Sequence, residues 1–160
     1  MTRSERLARW IALLLPAALL AGAWGSQLVG HLYPCEMCHW QRWPHYAALP
    51  FALLAFVVPQ RSIAKAFVIL AALLIAVSGA IGVAHAGVEY HWWNGFTACT
   101  QTVDLRGLGP AARLEALMHA PVVRCDTPQW TLLGISLAGF NAILSLGGAA
   151  LILWCMRKAR

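Results

Sequence analysis

Three uninterrupted charge-free stretches govern what this chain can fold into: Trp10–Val29, Ala66–Ala84 and Trp130–Met156. A helix rises about 1.5 Å per residue and the hydrocarbon core of a bilayer is roughly 30 Å thick, so about 20 apolar residues make a span. Each stretch meets that length, the third with some tilt. A fourth stretch, Tyr46–Val58, is too short alone. It spans only if its helix begins near Cys35 and carries Trp40, Arg42 and Trp43 in its first turns. The charged fraction is 11%, where soluble domains have about 25%. The pattern predicts an all-α membrane protein, a single domain over residues 1–160. Its form is a four-transmembrane-helix bundle with spans at about 10–29, 37–58, 65–85 and 130–155 and a loop at about 86–129. An N-terminal leader is the competing reading of the first span, because Ala21-Gly22-Ala23 resembles a cleavage site. The apolar run continues past it to Val29, which suits a retained span.

Lysine and arginine set the orientation. Arg3, Arg6 and Arg9 precede the first span, Arg61 and Lys65 separate the second from the third, and Arg157, Lys158 and Arg160 follow the last. These eight of twelve basic residues mark one side as cytoplasmic. Both termini then lie inside and the long loop outside. The net charge of +6 is thereby explained as topology; no basic–aromatic stripe of the kind nucleic acid requires is present. The loop carries His91-Trp92-Trp93, an interfacial aromatic anchor, and a short helix over residues 110–118. That helix groups Leu114, Leu117 and Met118 on one face, a pattern fit for a membrane surface or for an ordinary solvated helix.

The same orientation sorts the five cysteines. Cys35, Cys38, Cys99 and Cys125 fall on the outer side and Cys155 alone on the inner. In a bacterium the outer compartment is the one where disulfides persist. The basic residues were placed without reference to sulfur, yet they put an even number of cysteines where bridges survive.

Cys35-Glu36-Met37-Cys38 has the spacing of a redox dithiol, and His39 turns it into the CxxCH signature of c-type haem. The haem reading leaves Cys99 and Cys125 without a role. A zinc site of Cys35, Cys38, His39 and one loop cysteine would leave one outer thiol unpaired. The dithiol reading uses more residues. Pro34 suits a helix entry, which puts Cys35 and Cys38 in the first turn, where the helix dipole favours a thiolate. Arg42 lies four residues after Cys38, on the same face and one turn deeper. A permanent cation there calls for a partner: a thiolate, a polar ligand oxygen, or both.

Pro34-Cys35-x-x-Cys38-x-x-x-Arg42 at the start of a second span, with a second cysteine pair in a long outer loop, resembles the DsbB family of membrane thiol–quinone oxidoreductases. Residues 84–89 (AHAGVE), 125–130 (CDTPQW) and 134–142 (GISLAGFNA) are similar to it as well. The resemblance implies a bacterial inner-membrane protein with its active cysteines on the periplasmic side. It implies Cys35–Cys38 and Cys99–Cys125 disulfides at rest, with Cys99 the sulfur attacked by a reduced DsbA-like thiol oxidase and Cys35–Cys125 the exchange intermediate. It further implies a quinone, ubiquinone ahead of menaquinone, as acceptor from the membrane pool. No flavin or nicotinamide fingerprint offers an alternative acceptor. Cys38 would donate to the quinone, Arg42 would hydrogen-bond its carbonyl, and His85 would be a second donor or proton source; no metal is implied. Cys155 has no place in the family pattern. A cytochrome subunit bearing haem on Cys35, Cys38 and His39, and a non-enzymatic disulfide-stapled scaffold, stay open beside it.

Other polar residues carry plainer expectations. Asn141 is read as an interhelical hydrogen bond, and Gly134, Ala138, Gly147 and Ala149 as small residues for close helix contact. Glu36, His31, His45, His91 and His119 are read as interfacial. Arg124 and Asp126 flank Cys125 with opposite charges.

Overall fold

The computed structural model describes residues 2–97, 99, 107, 109–118 and 123–158, with only the backbone of 116 and 117. His119 and Arg160, and the side chain of Leu117, lie outside the described residues. Four long helices, α1 (Arg3–Leu28), α2 (Glu36–Val57), α3 (Arg61–Glu89) and α5 (Leu137–Lys158), pack into a bundle. In it α3 packs on α2 and α5, and α1 closes the ring against the same two. A shorter helix, α4 (Pro110–Met118), follows α3, and a two-stranded hairpin, β1 (Thr131–Leu132) and β2 (Ile135–Ser136), leads into α5. By length and composition α1, α3 and α5 can cross a membrane.

The interior of the bundle is built from small side chains. Ala8, Ala12, Ala48, Ala52, Ala71, Ala72 and Ala149 are buried together with Val68, Ile75 and Ile152. Larger apolar residues such as Leu14, Leu53, Leu73 and Leu144 face outward. That inversion of a soluble core is what lipid selects, because tails are as apolar as leucine and helices associate through close backbone approach. Gly82 marks one such approach. A Cβ there would stand 3.0 Å from both the Ala138 carbonyl oxygen and the Ala142 nitrogen of α5.

The two ends of the bundle are fastened differently. At one end Thr2 caps α1 in a reciprocal box with Glu5. Glu5, 2% exposed, also takes ion pairs from Arg61 and Lys65 at the start of α3, both at 2.9 Å. At the other end Ser136 caps α5 by accepting the Gly139 N–H at 3.1 Å, and its hydroxyl donates to Glu89 at the end of α3.

Three sequence expectations are corrected here. The last helix begins at Leu137, not Trp130, because Leu133 (φ 53°) and Gly134 (φ 78°) form a tight turn that folds residues 131–136 into the hairpin. Gly134 therefore serves a turn rather than a helix contact, and Gly147 faces open space. His45 is not interfacial: it is 3% exposed in the bundle interior.

Candidate functional site

The site lies where α2 begins and α3 ends. Cys35 is the N-cap of α2, one position before the helix, and its sulfur accepts the Cys38 N–H at 3.3 Å. A CxxC beginning at the cap places its second sulfur beside the first, and the two Sγ atoms are 2.9 Å apart. They are thiols, so the Cys35–Cys38 disulfide expected from the sequence is not formed in this structure. Cys99 and Cys125 are joined by a disulfide. The same two residues also meet through their backbone, the Cys125 N–H donating to the Cys99 carbonyl at 3.4 Å. All of Cys35, Cys99 and Cys125 are buried, in one apolar cluster with Met37 and Val88.

The two cysteine pairs are neighbours. The sulfurs of Cys35 and Cys125 and a ring nitrogen of His85 all lie within 4.8 Å of one another. His85 Nε2 is 3.6 Å from Cys35 Sγ and 3.7 Å from Glu89, one turn further along α3. His85 Nδ1 is 2.8 Å from Gln41 Nε2. Three such donors could hold a metal, but the Cys125 sulfur is committed to its disulfide, and His39, the histidine of the zinc and haem readings, stands exposed.

Arg42 is buried, one turn below Cys38. Its partners are on α1: Nη1 donates to Gln27 Oε1 at 2.8 Å and Nη2 to the Ala23 carbonyl at 3.1 Å, with the Trp24 ring 5.7 Å away. Neither partner is anionic, so no carboxylate among them offsets the guanidinium. Two cavities meet at this pair. One opens outward between Cys35, Cys38, Arg42, His85 and Gln129. The other, about 220 Å³, lies between α1, α2 and α5 and is bounded by Leu19, Leu20, Cys38, Arg42, His45 and Asn141. Cys38 and Arg42 line both.

On the loop side, the Asp126 carboxyl is held below its ordinary value by hydrogen bonding and proximity to the Arg124 guanidinium, which is raised in turn. The two charges that flank Cys125 thus satisfy each other. Gln129 Nε2 donates to the Tyr33 carbonyl at 2.7 Å, tying the segment after Cys125 to the approach of α2. Trp93 lies over Gly87 and donates to the Ala84 carbonyl at 3.0 Å. Sequence reasoning missed Gln41, Glu89 and Ser136. Glu89 had a signal, its four-residue spacing from His85 on one helix face.

In a helical bundle with helices of membrane-spanning length and composition, a dithiol at a helix start beside a loop disulfide suits the class of disulfide oxidoreductases. The family model of disulfide bond formation protein DsbB matches residues 5–155. The chain belongs to the DsbB family, whose members use quinone. An uncharacterized protein, RP370, of Rickettsia prowazekii (strain Madrid E) is 24% identical over 128 residues, 79% of this chain and 73% of that protein. No solved structure matches.

Proposed function

We propose that this protein reoxidises a periplasmic DsbA-like dithiol and passes the electrons to membrane quinone. In this reading α2 is the fourth span, its 22 residues being about 33 Å long. Both termini are cytoplasmic, and the four site cysteines face the periplasm of a bacterial inner membrane. The arrangement of basic residues supports that topology.

The reading rests on one observation: the Cys35 and Cys125 sulfurs are within 4.8 Å, so bonds can pass between the pairs with small movements. A thiolate of the reduced partner attacks Cys99, forming a partner–Cys99 disulfide and releasing the Cys125 thiolate. Cys125 attacks Cys35 of a Cys35–Cys38 disulfide, forming Cys35–Cys125 and releasing the Cys38 thiolate. The partner's second thiolate displaces Cys99, which leaves the partner oxidised. Cys99 then attacks Cys125, restoring the loop bridge and freeing the Cys35 thiol. Two electrons and two protons now reside on Cys35 and Cys38, the bonding state of the structure described above.

The cavity shared by Cys38 and Arg42 suits a quinone ring: its walls are apolar, and polar groups stand at a few points only. Bound there, the quinone supplies the two-electron oxidant that re-forms the Cys35–Cys38 disulfide. Ubiquinone is our choice ahead of menaquinone. Arg42, clamped by Gln27 and Ala23, has further N–H groups for an oxygen in the cavity. Its positive charge would offset negative charge developing on that oxygen. His85 holds a proton between Cys35 and Glu89, at the junction of the two pairs.

The test mixes purified protein, a short-chain quinone and a reduced thioredoxin-fold dithiol, and follows quinone absorbance. Quinone is consumed with the unmodified chain and not with Cys38→Ser. No consumption by the unmodified chain, or full consumption by Cys38→Ser, removes the proposal.

A further inference from the structure

Gln41 is buried in the second turn of α2, between the sulfur site and the bundle interior. Its amide is held the same way round at both atoms. Gln41 Nε2 stands 3.2 Å from the Met37 carbonyl, which can only accept. Gln41 Oε1 stands 2.8 Å from Asn141 Nδ2. That nitrogen is fixed as a donor by the Ser78 carbonyl at 3.2 Å, while Asn141 Oδ1 accepts from the Ser145 hydroxyl at 3.0 Å. Gln41 therefore presents an N–H, and no acceptor, to its remaining neighbour, His85 Nδ1 at 2.8 Å.

That contact decides the state of the imidazole. Nδ1 accepts from Gln41 and holds no proton of its own. A neutral ring has one N–H, which is then on Nε2. An imidazolium would turn a second N–H against the Gln41 amide with nothing to accept it, in a side chain 2% exposed. Nε2–H faces the junction of the cysteine pairs. Cys35 Sγ lies 3.6 Å from Nε2 and Glu89 Oε1 3.7 Å, and the Cys125 backbone also hydrogen-bonds the ring. Cys38, Arg42 and Arg124 line the same outer cavity as His85.

We infer that Gln41 is a positioning residue that keeps His85 a neutral imidazole with its one N–H turned to the Cys35 sulfur, so that His85 serves the departing Cys35 thiolate as a hydrogen-bond donor and not as a base. The inference rests on the relay proposed above and adds to it a residue and a direction. When Cys99 attacks Cys125, the Cys99–Cys125 bond forms, the Cys35–Cys125 bond breaks, and its electron pair stays on Cys35. Nε2–H then donates to that sulfur, and no proton leaves the ring. The proton that completes the Cys35 thiol is one given up by the partner's dithiol.

The test reads protonation rather than turnover. The full chain, isotope-labelled at its histidine nitrogens and free of quinone, is held in the bonding state described above and followed by NMR, with His85 assigned through its neighbours in α3. His85 should show a bare Nδ1 and a protonated Nε2 throughout about pH 5–8, the range in which an unperturbed imidazole changes charge. A proton on Nδ1 anywhere in that range, in the other tautomer or in the imidazolium, overturns the inference. Gln41→Glu puts a carboxylate oxygen opposite Nδ1, and a proton should then appear there. An unaltered His85 pattern in that variant overturns the role given to Gln41, because a residue that only filled space would leave the pattern as it was. The second measurement is alkylation of Cys35 by iodoacetamide at neutral pH, read on the digested peptide. His85→Phe should slow it roughly tenfold or more, the worth of one hydrogen bond to a charged acceptor. An unchanged rate overturns the inference. Neither measurement involves quinone, so both can fail while quinone consumption by the unmodified chain proceeds and the relay stands. The first needs no substitution, so a variant that fails to fold does not protect the inference.

Discussion

The Cys35 sulfur on α2 and the Cys125 sulfur in the loop lie within 4.8 Å of each other, although 90 positions apart in the sequence. No bond joins them, but only a small shift separates them from one. A chain carrying Cys38→Ser and Cys99→Ser retains just these two at the site. Mild oxidation should link them quantitatively, seen as a Cys35–Cys125 peptide in a non-reducing digest. The reciprocal chain, with Cys35→Ser and Cys125→Ser, should link Cys38 to Cys99 measurably more slowly. If the two chains link equally fast, loop mobility rather than the observed juxtaposition governs exchange.

Arg42 separates charge from shape. Arg42→Leu removes the cation and both bonds to α1, and quinone-dependent turnover should fall roughly 10²–10³-fold, the usual cost of losing a positioned donor to developing charge. Arg42→Lys restores charge without the fork that spans Gln27 and Ala23, and should recover only part of the loss. The Cys99–Cys125 bridge should form normally in both, as judged by thiol titration. Wild-type turnover in Arg42→Leu would contradict the role given to this residue.

How legible was this in the sequence? The placement of Cys35, Cys38 and Arg42 near one another could be read because all three belong to one helix start, a spacing written linearly. The start of α5 could not. Residues 130–136 are as apolar as the helix that follows, and Leu133-Gly134 is not one of the strong hairpin dipeptides. Only the left-handed backbone at both positions reveals the turn. His45 was misread for a different reason. A lone histidine ten residues into a helix has no local mark of burial, and the three residues that hold it lie 33, 96 and 100 positions away. Three-residue and four-residue spacings carry little about such a cluster.

Gly82 tests the packing that holds the cavity. Gly82→Val puts a branched side chain against the α5 backbone at Ala138 and Ala142, which cannot retreat without moving the cavity wall. Overpacking of this kind costs about 1–3 kcal/mol. The melting temperature in detergent should drop and quinone affinity with it. Gly147→Ala, at a position facing open space, should change neither.

Asp126 supplies a pH dependence with a definite sign. Its folded-state value lies below the ordinary 3.8 because of Arg124. Its contribution to stability is therefore complete above 3.8 and fades as pH falls through the lowered value. The difference in melting temperature between the unmodified chain and Asp126→Asn should be flat through neutral pH and shrink toward zero in strong acid. A difference that grows in acid would mean that the pair with Arg124 is not its source.

The cluster of Glu5 with Arg61 and Lys65 pins α1 to α3 at the end of the bundle remote from the sulfurs. The sulfur end has no comparable ionic clasp between those two helices among the described residues. The molecule is thus gripped by charge at the tail, whereas at the jaws α1 is held to α2 by the hydrogen bonds of Arg42 with Gln27 and Ala23. In the reading proposed above, a flat, oily passenger arriving sideways from the lipid meets a wall fastened by hydrogen bonds there and by ion pairs only at the far end.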